Sequence, residues 1–284
     1  MQKSLDEILA VLVVYQRDIT SADSVASLSR SLTTSGFSLD LFIHDNSPFV
    51  QSVDNSFKSL KIIYHHDPTN PGVAGAYNAG ARFARESGKK WLLLLDQDTS
   101  FPVNALDVYA QAVADNAAIE MFAPRLVSHG RIFSPCGYCA GIGYHLGRVE
   151  SGLMSLQGRG ILNSGMLVRV DAFDAVGGFD ERIPLDFADH DFCRRFADKF
   201  PAVFILDLDC GHGFSDREEA PLEAALARFA FFCRGARYSM RSFPDIVTHF
   251  VAASIRCVVL STRYRTWRFI PVMLRELFAF DQSG

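Results

Sequence analysis

Two apolar runs with no polar interruption, Ile8 to Val14 and Trp91 to Leu95, limit the fold more than any other feature of the chain. A strand with one wet face alternates apolar and polar side chains, so an unbroken run marks a strand covered on both faces. Leu39 to His44 and Lys61 to His65 read as two further strands. Helical stretches lie among them. Ala22 to Ser35 carries Val25, Leu28 and Leu32 at three- to four-residue spacing and stops at Gly36, and Gly72 to Arg85 opens a second helix. Strands alternating with helices predict an α/β fold, a mainly parallel sheet flanked by helices. Such sheets hold ligands outside the carboxyl ends of their strands, where Asp45 closes one run and Asp96-Gln97-Asp98 closes another.

Past Pro102 the pattern loosens. Val103 to Asn116 reads as a helix, Met121 to Ala123 as a strand, and Arg131 to Gly160 as a glycine-rich stretch with short β segments. Gly165 to Val170 reads as a strand, Asp171 to Val176 and Asp189 to Phe200 as helices, and Val203 to Asp207 as the last clear strand. From Leu222 onward the chain is mostly helical. With no internal repeat or low-complexity linker, the expectation is one catalytic-size unit over residues 1–221, its halves about 1–100 and 101–221. A helical extension over 222–284 would follow.

Composition narrows the function. An apolar fraction of 49% excludes intrinsic disorder, and a net charge of -4 excludes a protein that coats nucleic acid throughout. The charge is split, however. Between Ala225 and Phe280 stand nine arginines against Asp245 and Glu276, a net +7 that leaves -11 for the rest of the chain. These arginines alternate with aromatic and aliphatic residues, which suits either a face packed on the main body or an anionic lipid surface with Trp267 and Phe269 in the interface. Nucleic acid is not expected as a partner, because the acidic remainder would repel it. Six cysteines without a framework pattern, including Cys136-x-x-Cys139 with no second pair, read as reduced thiols of a cytoplasmic protein. Asp6 and Glu7 precede the first apolar run, so no signal peptide is expected. His249 and Arg256 interrupt Ile246 to Leu260, so no spanning helix is expected either.

Asp96 and Asp98 carry the chemistry. In extended backbone, residues two apart point to the same side, so their carboxylates converge unless a cation separates them. Hard oxygens of this kind suit Mg2+ or Mn2+, whose open positions phosphate oxygens can fill. The plain alternative is a pair of turn-forming aspartates. A rival also fits: Asp96-x-Asp98-x-Ser100 resembles the nucleophile motif of haloacid-dehalogenase-like phosphatases, with Lys199, Asp207 and Asp209 as its downstream partners. Asn70 to Ala81 is rich in Gly and Ala, and is neither a dinucleotide fingerprint nor a phosphate-binding loop. It permits a close approach to a diphosphate, and tight helix packing explains it equally well.

Taken in order, Val13-Val14-Tyr15, Asp45-Asn46-Ser47, Asn70-x-Gly72-x-Ala74-x-Ala76-x-Asn78-x-Gly80 and Asp96-Gln97-Asp98 resemble family 2 glycosyltransferases. The likeness runs from about Leu9 to Asp216 and is strongest to bacterial rhamnosyltransferases. It implies a GT-A, Rossmann-like fold, a nucleotide-diphosphate sugar donor (dTDP-L-rhamnose or a UDP-sugar), Mg2+ or Mn2+, and a glycan or lipid-linked glycan acceptor. On that resemblance Val14, Tyr15, Asp45, Asn46, Gly72 and Asn78 would line the nucleotide site. Asp96 and Gln97 would face the ribose or diphosphate, and Asp98 would bind the metal with His212, in Cys210-Gly211-His212-Gly213, completing its coordination. Ser164 and Gly165 would border the sugar. The segment from Gly177-Gly178-Phe179-Asp180-Glu181 to Asp189-His190-Asp191 would supply the base, Asp189, supported by Asp191. It departs from the family at Ala188, where Glu is frequent. A catalytically idle sugar-nucleotide-binding protein is the remaining alternative, and an arginine-rich surface on the inner face of the cytoplasmic membrane would suit a lipid-linked acceptor.

Overall fold

The computed structural model describes residues 5–53, 57–213 and 221–278; Asp216, where the family resemblance ends, and the last six residues lie outside them. The first third of the chain is β1 (Ile8–Val14), α1 (Asp23–Ser35), β2 (Leu39–Asp45), β3 (Leu60–His66), α2 (Gly72–Glu86) and β4 (Trp91–Leu95). The four strands pair in parallel in the order β3-β2-β1-β4. The unbroken apolar runs have the expected cause. Leu9, Val11 and Val13 of β1 pack into one core with Tyr77 of α2, while Ile8, Leu12 and Val14 pack into a second core with Val25, Leu28 and Leu32 of α1. Period-two geometry sends alternate side chains to opposite faces, so only a strand apolar at every position fills both. Gly36 stops α1 in the left-handed conformation, φ 72°.

The middle of the chain contributes β5 (Thr99–Ser100), α3 (Ala105–Asp115), β6 (Met121–Ser128), β7 (Arg131–Ser134), β8 (Cys136–Cys139), β9 (Ile142–His145), β10 (Gly152–Ser155), β11 (Arg159–Gly160), β12 (Leu167–Arg169), α4 (Val170–Ala175), α5 (Ala188–Ala197) and β13 (Ala202–His212). The main sheet reads β10-β13-β6-β12-β4-β1-β2-β3. β12 enters antiparallel between β4 and β6, whereas β13 runs parallel to β6, which makes the sheet mixed. β11, β8 and β9 form a separate small sheet.

β13 is longer than expected. It does not end at Asp207 but continues to His212, which pairs with Thr99 of β5. Leu206, Leu208 and Cys210 are buried while Asp207 and Asp209 point outward to Arg125, at 3.0 and 2.5 Å. The two aspartates therefore mark the wet face of the strand. Cys136 and Cys139 are free thiols, as are the other four cysteines.

The last helices, α6 (Leu222–Ser239), α7 (Phe243–Arg263) and α8 (Phe269–Phe278), share a core of their own around Phe229, Cys233, Ala253, Cys257 and Phe269. Phe269 is thus fully buried and cannot be the interfacial ring expected of it; Trp267, 74% exposed, can. A second correction concerns α7. At 21 residues it is long and apolar enough, by length and composition, to cross a membrane. The two expected interruptions leave its outer side apolar because both turn toward α6. His249 is buried with its Nδ1 3.0 Å from the Ala236 carbonyl, and the Arg256 guanidinium lies over the Phe232 ring, 4.3 Å from its centroid.

Candidate active site

Four chain segments distant in sequence meet at one cleft of about 640 Å3. Tyr15 follows β1, Asp96, Gln97 and Asp98 follow β4, Asp189 opens α5, and His212 closes β13; all six line it. The floor is acidic. The Asp96 carboxylate is half-buried and accepts the Tyr77 hydroxyl at 2.9 Å, and its backbone N–H donates to Ser164 Oγ at 3.1 Å. Burial, and next the charge of Asp98, push the Asp96 carboxyl up to about 6; the Tyr77 bond and His212 pull the other way. Burial also raises Asp98, against the opposing pull of His212. Two carboxyls held above their ordinary range by burial mark a place prepared for positive charge.

The donors fit a divalent metal. His212 Nδ1 lies 3.6 Å from Asp98 Oδ1 and 2.9 Å from Thr99 Oγ1, with both side chains largely sequestered. Carboxylate with imidazole suits Mn2+ better than Mg2+, which prefers an all-oxygen shell. His212 is positioned by the β13–β5 pairing, so it is held in register and not on a loop free to swing.

Asp189 stands in the first turn of α5, preceded by Phe187 in the left-handed region at φ 72°. Its Oδ1 accepts from the N–H of His190 at 2.8 Å, which fixes the carboxylate rotamer. Ala188, the departure from the family pattern, is 2% exposed and packed in the core beside Phe192, so a glutamate there would be a buried charge. Asp191, equally buried, pairs with Arg195 at 2.8 Å and Arg241 at 2.7 Å. It ties the start of α7 to α5 and makes no bond to Asp189 among those the structure shows.

The other expected site residues stand behind the cleft wall. Asp45 directs its carboxylate to Tyr64 Oη, 2.6 Å, and to the Ser47 N–H, 2.9 Å. Val14 is buried and its carbonyl accepts the Asn46 N–H, while the Asn46 side chain donates to the Gly72 carbonyl. Asn78 faces away: it accepts from Phe179 N–H and donates to Phe179 O and Glu181 Oε1, all at 2.9 Å, bracing the Gly177-to-Glu181 turn. Ser164 is the partner of Asp96 N–H, and Gly165, at φ 80°, donates to Leu94 O. Gly72 at φ 75° admits the backbone of Pro184, because an added Cβ would stand 2.0 Å from its oxygen. Of the two explanations for the small-residue segment, close packing is what Gly72 shows.

Sequence reasoning missed several wall residues. Arg228 and Phe232 come from α6, with Arg228 in an ion pair to Asp186. Arg228 is the first arginine of the basic stretch, and only the fold shows where it points. Gly141 and Gly143 of the β8–β9 hairpin form another part of the wall; the hairpin leans on α7, where Thr248 Oγ1 donates to Ala140 O at 2.5 Å. His190 stacks on Tyr138 at 4.4 Å, and the buried Asn163 Oδ1 at the cleft has no partner within the protein.

This architecture is similar to that of GT-A glycosyltransferases. GalNAc-T7 with UDP, GalNAc and Mn2+ superposes with a TM-score of 0.56 at 11% identity, over 72% of this chain and 43% of that one. TarS 1–349 of S. aureus in complex with UDP gives 0.51 at 12% identity, over 98% and 73%. At such identities the likeness is one of fold. In sequence, residues 13–136 match the model of glycosyl transferase family 2. The chain is also 26% identical over 152 residues to dTDP-rhamnosyl transferase RfbF of Shigella flexneri, covering 52% of this chain and 51% of that protein, so it spans about half the length of this curated relative.

Proposed function

We propose that this protein is an inverting glycosyltransferase that moves a sugar from a nucleotide-diphosphate donor to a hydroxyl of a glycan or lipid-linked glycan, in the synthesis of cell-surface polysaccharide. The convergence of Asp96, Asp98, His212 and Asp189 on one cleft carries the reading. The relative's name, a dTDP-rhamnosyl transferase, favours L-rhamnose from dTDP-L-rhamnose, while the UDP held by two fold neighbours keeps a UDP-sugar as the second choice. Asp189 takes the proton of the acceptor hydroxyl as that oxygen attacks the anomeric carbon; the bond to the diphosphate breaks on the opposite side, inverting the configuration. Asp98 and His212 would hold Mn2+ or Mg2+, which supplies charge neutralisation for the departing diphosphate. Asp96, Gln97 and Tyr15 face the nucleotide, and Asp45, Asn46 and Gly72 hold that wall in shape. Residues 1–221 form the catalytic unit on this reading, and 222–284 an extension that completes the cleft through Arg228.

Titration of nucleotide sugars into the protein, with and without each metal, tests the donor. Metal-dependent binding of dTDP-L-rhamnose is expected, and His212→Ala should weaken Mn2+ by roughly 10-fold or more. Donor binding with no transfer to any acceptor extract would instead favour an idle binding protein. The phosphatase alternative is less favoured: Asp207 and Asp209 are paired with Arg125, Lys199 bonds the Ala175 carbonyl, and three strands precede β4, the strand before Asp96.

The extension supports a cytoplasmic protein seated on the inner face of the membrane. Phe243, Val247, Val251, Ile255 and Val258 expose an apolar side of α7, and the Phe250–Phe278 ring contact at 6.1 Å joins it to α8. Arg263, Arg265 and Arg268 stand at the end of this side, next to exposed Trp267. Apolar area rimmed by arginine suits anionic lipid. Binding to phosphatidylglycerol vesicles should be strong in low salt, weaken as salt rises, and fall at least about 10-fold in Ile255→Asp/Val258→Asp. Equal binding to neutral vesicles, or none at low salt, would refute the seat.

A further inference from the structure

We propose that His44, His65 and Asp67 form a second metal site, separate from Asp98 and His212, that takes a borderline transition metal such as Zn2+ and braces the wall behind the cleft. In the parallel β2–β3 pairing His44 and His65 are register partners, with ring centroids 4.9 Å apart. Asp67 lies two residues beyond His65, and the ligand atoms of the three all fall within 4.8 Å of one another. Among the described residues this is the group of three such side chains that comes so close.

The neighbours prepare His44 as a ligand. The Asn46 amide can only donate to the Gly72 carbonyl, which it reaches at 3.2 Å through Nδ2, so its oxygen must be the atom 2.9 Å from His44 Nδ1. That oxygen accepts, so Nδ1 carries the hydrogen and the Nε2 lone pair is presented. An outer amide that fixes the tautomer of a buried imidazole is the arrangement metal-binding histidines use. Asp67 is oriented in turn, its Oδ1 accepting from the Thr69 N–H at 2.9 Å and hydroxyl at 2.6 Å. His65 is exposed and Asp67 half-exposed, so both can close onto an ion while His44 stays fixed.

Two imidazoles and one carboxylate select Zn2+, Co2+ or Ni2+ over Mg2+ or Ca2+, and leave a fourth position for water. Asp67 favours positive charge at His44, and Arg82 of α2 opposes it more weakly. The consequence for the cleft runs through Asn46: it links His44 to Gly72, and the next residue, Val73, lines the cleft. Occupancy would stiffen that wall. The site stands on its own geometry and does not depend on the sugar-transfer reading.

The test uses the full chain carrying Asp98→Asn and His212→Ala, so that the first centre cannot compete. Calorimetry should give one equivalent of Zn2+ at micromolar affinity, and Co2+ should gain the visible absorption of a four-coordinate ion. His65→Ala or Asp67→Asn, both at the surface and checked for folding by circular dichroism, should weaken Zn2+ by roughly 100-fold. Asn46→Ala should weaken it by roughly 10-fold or more. Absence of saturable Zn2+ binding, or binding unchanged by the His65 and Asp67 variants, overturns the site. Donor titration on the otherwise native chain reads the sugar-transfer proposal separately.

Discussion

Asp189→Asn is expected to lower turnover by roughly 10²- to 10⁴-fold while nucleotide-sugar affinity changes by less than about threefold. The exchange keeps size and shape. The amide oxygen can still accept the His190 N–H that now holds the carboxylate, so α5 should begin as before. What disappears is the capacity to take a proton. A general base acts only as the hydroxyl attacks, so its loss belongs to the transition state and leaves the bound donor untouched. Single-turnover rates and donor titration separate the two quantities. If affinity collapsed with the rate, Asp189 would be a donor-binding group and the assignment of base would be wrong.

The contrast between what the residues foretold and what the fold added has a physical pattern. β1 and β4 were legible because strands covered on both faces are apolar throughout, and α1 because its stripe and glycine stop agree. That Asp96, Asp98 and Asp189 line one cleft could be expected because each sits where a strand ends or a helix begins, next to a pattern that breaks. β13 was read short because Asp207 looked like an ending, although the alternation through Leu208, Asp209 and Cys210 is the period of a half-wet strand. Asp45 and Asn78 carry motif positions, yet a motif does not say whether a side chain faces a ligand or its own backbone. Arg228, Phe232 and the β8–β9 hairpin reach the cleft through tertiary packing, for which no local pattern exists.

Asp96→Asn should have opposite effects on stability and activity. Its carboxyl is pushed up to about 6 from 3.8, first by burial and then by Asp98. The folded protein therefore holds a proton between these values that the unfolded chain has released, and stability falls as pH rises through that window. Above it the folded state carries the full cost of a buried charge, on the order of 2 kcal/mol. The asparagine carries no such charge and keeps an oxygen for the Tyr77 hydroxyl. In chelator at pH 7.5 the variant should unfold roughly 4 °C higher than the parent, with the gap closing near pH 4. On the proposed reading, in which Asp96 faces the nucleotide beside the metal held by Asp98 and His212, transfer activity should drop sharply at the same time. Thermal unfolding at the two pH values decides it: an equal gap at both, or no gap at pH 7.5, means the strain on the cleft floor comes from something other than this carboxylate.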